Sequence, residues 1–499
     1  MTKKKGHAMP KNESPRSKLL DRLRDVMDSK RVTWIVITLL VIQALWIAFS
    51  FRFPMIYDET AHVNLIQTYS SQISPYTEDA PANMTVQVSL YHYLLSFVYR
   101  TVQLGTENLA VQILLLRVIN IAFFAIGLIL AAKLMRKIQI RYVHINIGLL
   151  LFVLLPVTSL VAATINYDNL LFPLTMLYLL LAIDLLQSKK PLNWHNVFLL
   201  ISVGCLTALV KYTFLPIFAA SILAIIVYLL LARRTYIAKG LKNFSAQLTL
   251  LLRGKSIAPM LALVLIVGLF MITYARNVLV YGSVKPSCVQ LHTTEECLNN
   301  GIVKRNREAE ATASKRPVGD IVDFTKIWTR NMVTMTGMTG NSTESGAFVL
   351  RKPLPLITLT IYGGIIASIL ALVFAWRYLN ASVSWYFVAG MFVMLVASVY
   401  VVNAIGYYKL HAAYANQPRY ILSLLPIYLT MAVVAISYLT RYSRTLRWSI
   451  FTVVLILFTQ GGGLVTHIVR SDSSWYWNSP AVRQINTSAR GVLTPLVKE

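Results

Sequence analysis

Phe53-Pro54-Met55-Ile56-Tyr57-Asp58-Glu59-Thr60-Ala61-His62, continuing as Val63-Asn64-Leu65-Ile66-Gln67-Thr68-Tyr69, follows closely on a long apolar run from Val32 to Ser50. A run of that length reads as a transmembrane helix. Two adjacent carboxylates and a histidine just beyond it are costly groups to keep beside a bilayer. Asp58 is therefore the candidate general base of an enzyme that works at the membrane surface, because a pair of adjacent acids near lipid raises one carboxyl pKa. Its bland alternative is a solvated helix N-terminus, where acids are favoured by the helix dipole.

Composition extends that reading to the whole chain. Of 499 residues, 56% are hydrophobic and only 13% charged, against about a quarter charged in soluble domains. The expected fold is all-α: a polytopic membrane protein of about eleven spans, with juxtamembrane helices in its first external loop. The net charge of +27 then means cytoplasmic anchoring and contact with anionic lipid. Nucleic acid is not an expected partner, since the basic residues are scattered over short connections without a recognition motif. No cleavable signal peptide is expected, so the first span is retained.

The Lys- and Arg-rich segment 1–31 is assigned to the cytoplasm, which sends span 32–50 outward and places Asp58 and Glu59 outside. Within the first external loop, 51–110, the spacing of Ala61, Leu65, Tyr69 and Ile73 predicts a surface helix from Asp58 to Ile73. Val88 to Tyr99 reads as a second surface or re-entrant helix ended by Arg100. Further spans are expected at 111–134, 145–163, 170–186, two within 196–232, 257–274, 355–376, 385–402, 420–439 and 449–466. The transmembrane domain thus covers 32–466, with a large external loop at 276–352 and an external tail at 467–499. Cys288 and Cys297 lie nine apart in that loop, where a disulfide is plausible if the loop is outside; two free thiols are the alternative. Cys205 lies in an apolar run.

This topology collects Asp58, Glu59, His62, Asp168, Lys211, Arg276 and Arg419 at external span ends, with Arg117 in the outer part of its span. Glu59 and His62 are candidate supports for Asp58, and Asp168 is a second external carboxylate whose plain alternative is an N-cap. Arg276 and Arg419, with Lys211 and Arg117 behind them, offer cations for a phosphate. Glu59-x-x-His62 has the spacing of a di-iron half-site, but no second Glu-x-x-His occurs, so that reading fails. No metal or other cofactor is expected; Mg²⁺ or Mn²⁺ held by Asp58, Glu59, His62 and Asp168 is the open alternative.

In their order and common sidedness, four motifs resemble the type-C (GT-C) membrane glycosyltransferases, a superfamily that includes protein O-mannosyltransferases and lipid A aminoarabinose transferases. They are Tyr57-Asp58-Glu59-Thr60-Ala61-His62, Ala163-Thr164-Ile165-Asn166-Tyr167-Asp168, Ala275-Arg276-Asn277 with Tyr281-Gly282, and Gln417-Pro418-Arg419-Tyr420-Ile421-Leu422. The resemblance implies a cell-envelope enzyme of glycan biosynthesis with Asp58 as base and a sugar on a polyprenyl phosphate or diphosphate as donor. The acceptor would be a hydroxyl on a glycan, lipid or protein. One departure is Val88-Ser89-Leu90-Tyr91-His92-Tyr93, which lacks the prolines often found after the acidic motif. Rival readings are a transporter or flippase of a lipid-linked or anionic solute, a glycan polymerase or ligase, and a scaffold for envelope assembly. A transporter would need ionisable residues at mid-membrane depth, and Asp184, toward the cytoplasmic end of its span, is the main such acid.

Overall fold

The computed structural model describes residues 22, 24–56, 58–75, 88–251, 257–342, 348–376, 379, 382–414, 416–471 and 473–497. Most of the basic tail, Tyr57 and Pro81 lie outside the described residues. Helices dominate, and among the described residues the one sheet is an antiparallel hairpin of β1 (Thr339–Ser342) and β2 (Phe348–Arg351).

The first eight helices position the site: α1 Lys30–Ser50, α2 Glu59–Ser70, α3 Leu90–Gly105, α4 Leu109–Lys137, α5 Tyr142–Val153, α6 Pro156–Ala163, α7 Asp168–Gln187 and α8 Trp194–Val210. Among the described residues, eight helices are long and apolar enough to cross a membrane: Lys30–Ser50, Leu109–Lys137, Asp168–Gln187, Tyr212–Ala232, Met260–Tyr281, Pro355–Ala375, Val383–Leu410 and Thr445–Arg470. The pair α5–α6 makes up to nine, while α8 and Leu425–Leu439 are apolar but shorter. The eleven expected spans each fall on one of these segments, so eleven is reached only if both shorter helices cross.

These helices are apolar on every side because one side meets protein and the other faces outward. On α1, Leu40, Ala44 and Ile47 enter the core while Ile35, Ile42 and Phe49 stay exposed on the far side. Between α4 and α7 the backbones come close at Gly127, where an added Cβ would lie 2.3 Å from the Phe172 ring. Phe172 in turn packs on Phe124 and Phe152, with centroids 5.0 and 6.1 Å away.

The span expected at 145–163 is not straight. α5 and α6 meet at 73°, where Pro156 can neither donate a hydrogen bond nor let the preceding residue remain helical. Carbonyls freed at such a break need partners inside a membrane. The Gly463 N–H donates to the Leu154 carbonyl at 2.6 Å, and His467 Nε2 donates to that of Pro156 at 3.0 Å.

The first loop also departs from expectation. α2 begins at Glu59, leaving Asp58 ahead of it with φ of 64°, and it ends at Ser70, with Ile73 outside and exposed. α3 runs on to Gly105. Arg100 does not end it, because its guanidinium reaches back to the Tyr69 and Gln72 carbonyls and ties α2 to α3.

The span expected to stop at Tyr274 passes through a π-helical turn, Met271–Ala275, and continues from Arg276 to Tyr281. Beyond it, the loop holds short helices and a Cys288–Cys297 disulfide with Cα atoms 5.8 Å apart. The segment after 467 is docked. Tyr476 forms a β-bridge with Phe51, and the Trp477 N–H donates to the Ser50 carbonyl at 3.0 Å. Trp475 is fully enclosed there, so it packs the first loop from behind.

Candidate active site

Asp58 and Glu59 are neighbours in sequence and opposites in surroundings. Glu59 is completely buried. Its Oε1 accepts from Arg117 Nε at 2.9 Å and the Ile165 N–H at 3.2 Å, and its Oε2 from Arg117 Nη2 at 2.8 Å and the Met55 N–H at 2.6 Å. Arg117, equally buried, spends its other donors on the carbonyls of Ala48, Phe51 and Arg52. Both ions are thus satisfied by groups of α1, α4, the 51–55 segment and the turn before α7. That geometry corrects two expectations: Glu59 does not support Asp58, and Arg117 has no donor left for a phosphate.

The Asp58 side chain is 43% exposed, and its Oδ2 accepts from Arg419 Nη2 at 2.9 Å. Arg419 is buried in the 3-10 turn Pro418–Ile421, with its guanidinium 5.3 Å from the Tyr420 ring centroid. Lys211 Nζ lies over the same ring at 4.8 Å and over Tyr167 at 4.3 Å. Cations held against aromatic faces keep part of the attraction that water would have supplied.

Lys211 caps the C-terminal end of α8 in extended conformation, and its Nζ donates to Asp168 Oδ1 at 2.5 Å. Asp168 opens α7, with its own N–H held by Asn166 Oδ1 at 2.8 Å. Its Oδ2 is buried without a hydrogen-bond partner among the described residues. Burial pulls the Lys211 ammonium down to about 8, against the opposing attraction of Asp168. Two acid–cation pairs, Asp58–Arg419 and Asp168–Lys211, therefore meet around Tyr420.

His62 does not orient either acid. Its Nδ1 lies 2.8 Å from His92 Nε2, and His92 Nδ1 lies 2.6 Å from Ser89 Oγ. The His62 ring meets Tyr167 edge-on at 4.7 Å, which sets it beside the Lys211 pair. Arg276 is half-buried and takes no side-chain hydrogen bond or ion pair among the described residues. It follows the π-helical turn, a feature often found at functional sites.

The structure thus joins Asp58, Asp168, Lys211 and Arg419, links His62 to them through Tyr167, and leaves Arg276 outside their contacts. Among the described residues no group of three or more His, Cys, Asp or Glu is placed to hold a metal ion. Asp58, Glu59, His62 and Asp168 each turn to a different partner, so they do not fit a shared cation. Sequence reading missed Tyr167, Tyr420, His92 and Asn416. The first three stand inside the quoted motifs, and Asn416 is buried just ahead of Arg419 with both amide atoms unpartnered. A shallow cleft, partly open to solvent, lies at the other end of α7 between Lys190, Asn193, Arg233 and Tyr236. It has no carboxylate in its lining and is not the place for acid–base chemistry.

No family model matches the chain, and no curated protein matches it. Among solved structures it is similar to the crystal structure of ArnT from Cupriavidus metallidurans bound to undecaprenyl phosphate, at 13% identity and a TM-score of 0.46. The match covers 92% of this chain and 70% of that one. At that level the likeness carries no weight for the site, whose reading rests on its own geometry.

Proposed function

We propose that this membrane protein is an inverting glycosyltransferase that moves a sugar from a polyprenyl phosphate to an acceptor hydroxyl on the external face of the membrane. The observation that carries this reading is the bond between half-open Asp58 and buried Arg419, with Lys211 on the same aromatic ring. A base that reaches solvent stands against cations that do not.

A donor phosphate entering here competes with Asp58 for Arg419 and gains the Lys211 ammonium. Asp58, released, accepts the proton of the acceptor hydroxyl as its oxygen bonds to the anomeric carbon. The bond from that carbon to the phosphate oxygen breaks, and its electron pair leaves with the phosphate, whose charge Arg419 and Lys211 hold. A phosphate is a weak enough base to leave without a general acid, so one carboxylate suffices where glycoside hydrolysis usually needs two. No metal is placed in this scheme.

The broken span α5–α6 is the feature that favours a transporter, since transport sites are built at discontinuous helices. The Leu154 carbonyl at the break is taken by the Gly463 N–H, however, and that of Pro156 by His467. The test is release of polyprenyl phosphate from sugar-loaded donors in membranes that hold the native acceptors. The reading expects one sugar transferred per donor and loss of that release in Asp58→Asn. Movement of intact donor without cleavage contradicts it, and chains of sugars on one carrier indicate a polymerase.

A further inference from the structure

His62, His92 and Ser89 form a buried chain that the transfer scheme leaves unused. All three side chains are at least nine-tenths enclosed, and the two contacts between them measure 2.8 and 2.6 Å. At the far end of the chain, His62 Nε2 is buried with no hydrogen-bond partner among the described residues. A buried unpaired ring nitrogen is costly, so one next to a cluster of ion pairs calls for a reason.

The hydrogens in the chain can be counted. Burial holds both imidazoles well below their usual pKa, helped at His62 by the nearby Arg419 and Lys211 charges. Each ring is therefore neutral and carries one N–H. In one arrangement the Ser89 hydroxyl donates to His92 Nδ1, His92 Nε2–H donates to His62 Nδ1, and His62 keeps its hydrogen on Nε2. In the reverse arrangement His62 Nδ1–H donates to His92, His92 donates to Ser89, and the Ser89 hydroxyl hydrogen has no acceptor among the described residues. The first leaves one group unmet and the second leaves two. Ser89 thus fixes the tautomer at a distance, and His62 presents an N–H.

We infer that His62 Nε2–H is a hydrogen-bond donor to the phosphate of the bound lipid donor, a third ligand beside Arg419 and Lys211 whose tautomer is set by Ser89 through His92. The ring's edge-on contact with Tyr167, which also carries Lys211 Nζ on its face, places it beside the proposed phosphate. A neutral donor suits this position, because a third full charge would repel the two cations already there. The inference rests on the proposed phosphate site.

The experiment measures binding of undecaprenyl phosphate to the purified full chain in detergent, with His62→Gln, His62→Asn, Ser89→Ala and Arg419→Gln compared at equal folded fraction. Gln reproduces an N–H near the Nε2 position; Asn reproduces the contact to His92 and lacks the distal donor. Loss of one hydrogen bond to a charged group is expected to weaken binding about tenfold to hundredfold. His62→Asn should show that loss, His62→Gln should stay within about threefold of the native chain, and Ser89→Ala should fall between them. A structural role for His62 gives the opposite order, with Asn better than Gln, and overturns the inference. Native binding in both His62 variants, with Arg419→Gln weakened, also overturns it while leaving the phosphate site standing. Native binding in Arg419→Gln removes the phosphate site itself, and the inference with it.

Discussion

Asp58–Arg419 and Glu59–Arg117 are ion pairs of the same chemical kind, begun by consecutive residues, and they are built for different ends. Glu59 and Arg117 are enclosed on all sides, and every strong donor and acceptor of the pair has a counterpart. A buried pair of this sort is expensive to desolvate and is tolerated when its geometry is complete. It clamps the end of α1 to α4 and to the turn before α7. Asp58 is half-open and makes a single contact to its arginine. Next to it, Asp168 and His62 each keep one buried atom unmet among the described residues. Satisfied atoms hold a fold, and unmet atoms beside an open carboxylate suit the phosphate site proposed here.

The sharpest way to break that contrast is to remove each carboxylate's charge. Asp58→Asn should lower transfer by roughly 10²–10⁴-fold, the usual worth of a positioned base. Its thermal unfolding should fall less than that of Glu59→Gln, since Asp58 is half in solvent and the asparagine keeps a side-chain oxygen for the buried Arg419. Glu59→Gln should do the reverse: it leaves the Arg117 charge buried without its counter-ion, at a cost of about 3–5 kcal/mol, read as a lower unfolding temperature and yield. A Glu59→Gln protein that melts normally but has lost turnover would erase the distinction between the pairs.

A smaller effect concerns pH. With the Lys211 ammonium drawn down to about 8 by burial, the group is charged below that value and neutral above it. Donor affinity should therefore fall as pH rises through 8, with the donor KM climbing by roughly tenfold per unit at most and kcat changing less. Lys211→Arg, which keeps its charge, should move the rise to higher pH. A flat donor KM up to pH 9.5 would take Lys211 out of phosphate binding. The smallest effect is expected far from the pairs. Cys288→Ser with Cys297→Ser should speed proteolysis of the 276–352 loop while leaving transfer within about twofold, because such a loop opens locally.

The apolar helices were legible because apolar length is a local property of the chain. So were the residues at the span ends: Asp58, Asp168, Lys211 and Arg419 are the four that the structure brings together. Partner choice was not legible. Arg117 finds Glu59 across 58 residues, and Arg419 finds Asp58 across 361; no spacing rule spans such distances. Adjacency misled as well, since consecutive residues at a helix start do not face the same way, and the left-handed backbone of Asp58 turns it further from Glu59. His62, one turn on, looked like a support for the acids because His92, its partner, lies on another helix. The break in α5–α6 had its signal in Pro156, which the apolar run around it concealed. The enclosure of Trp475 and Tyr476 behind the first loop was not legible either, because it depends on a strand-like pairing with Phe51 that two short segments do not announce.

The central claim is that Arg419 exchanges Asp58 for a donor phosphate. A cryo-EM structure with undecaprenyl phosphate bound tests it directly. The account predicts the phosphate on Arg419 and Lys211 with Asp58 turned free, and the Glu59–Arg117 pair unchanged. A phosphate seated elsewhere, with the Asp58–Arg419 bond intact, would contradict it.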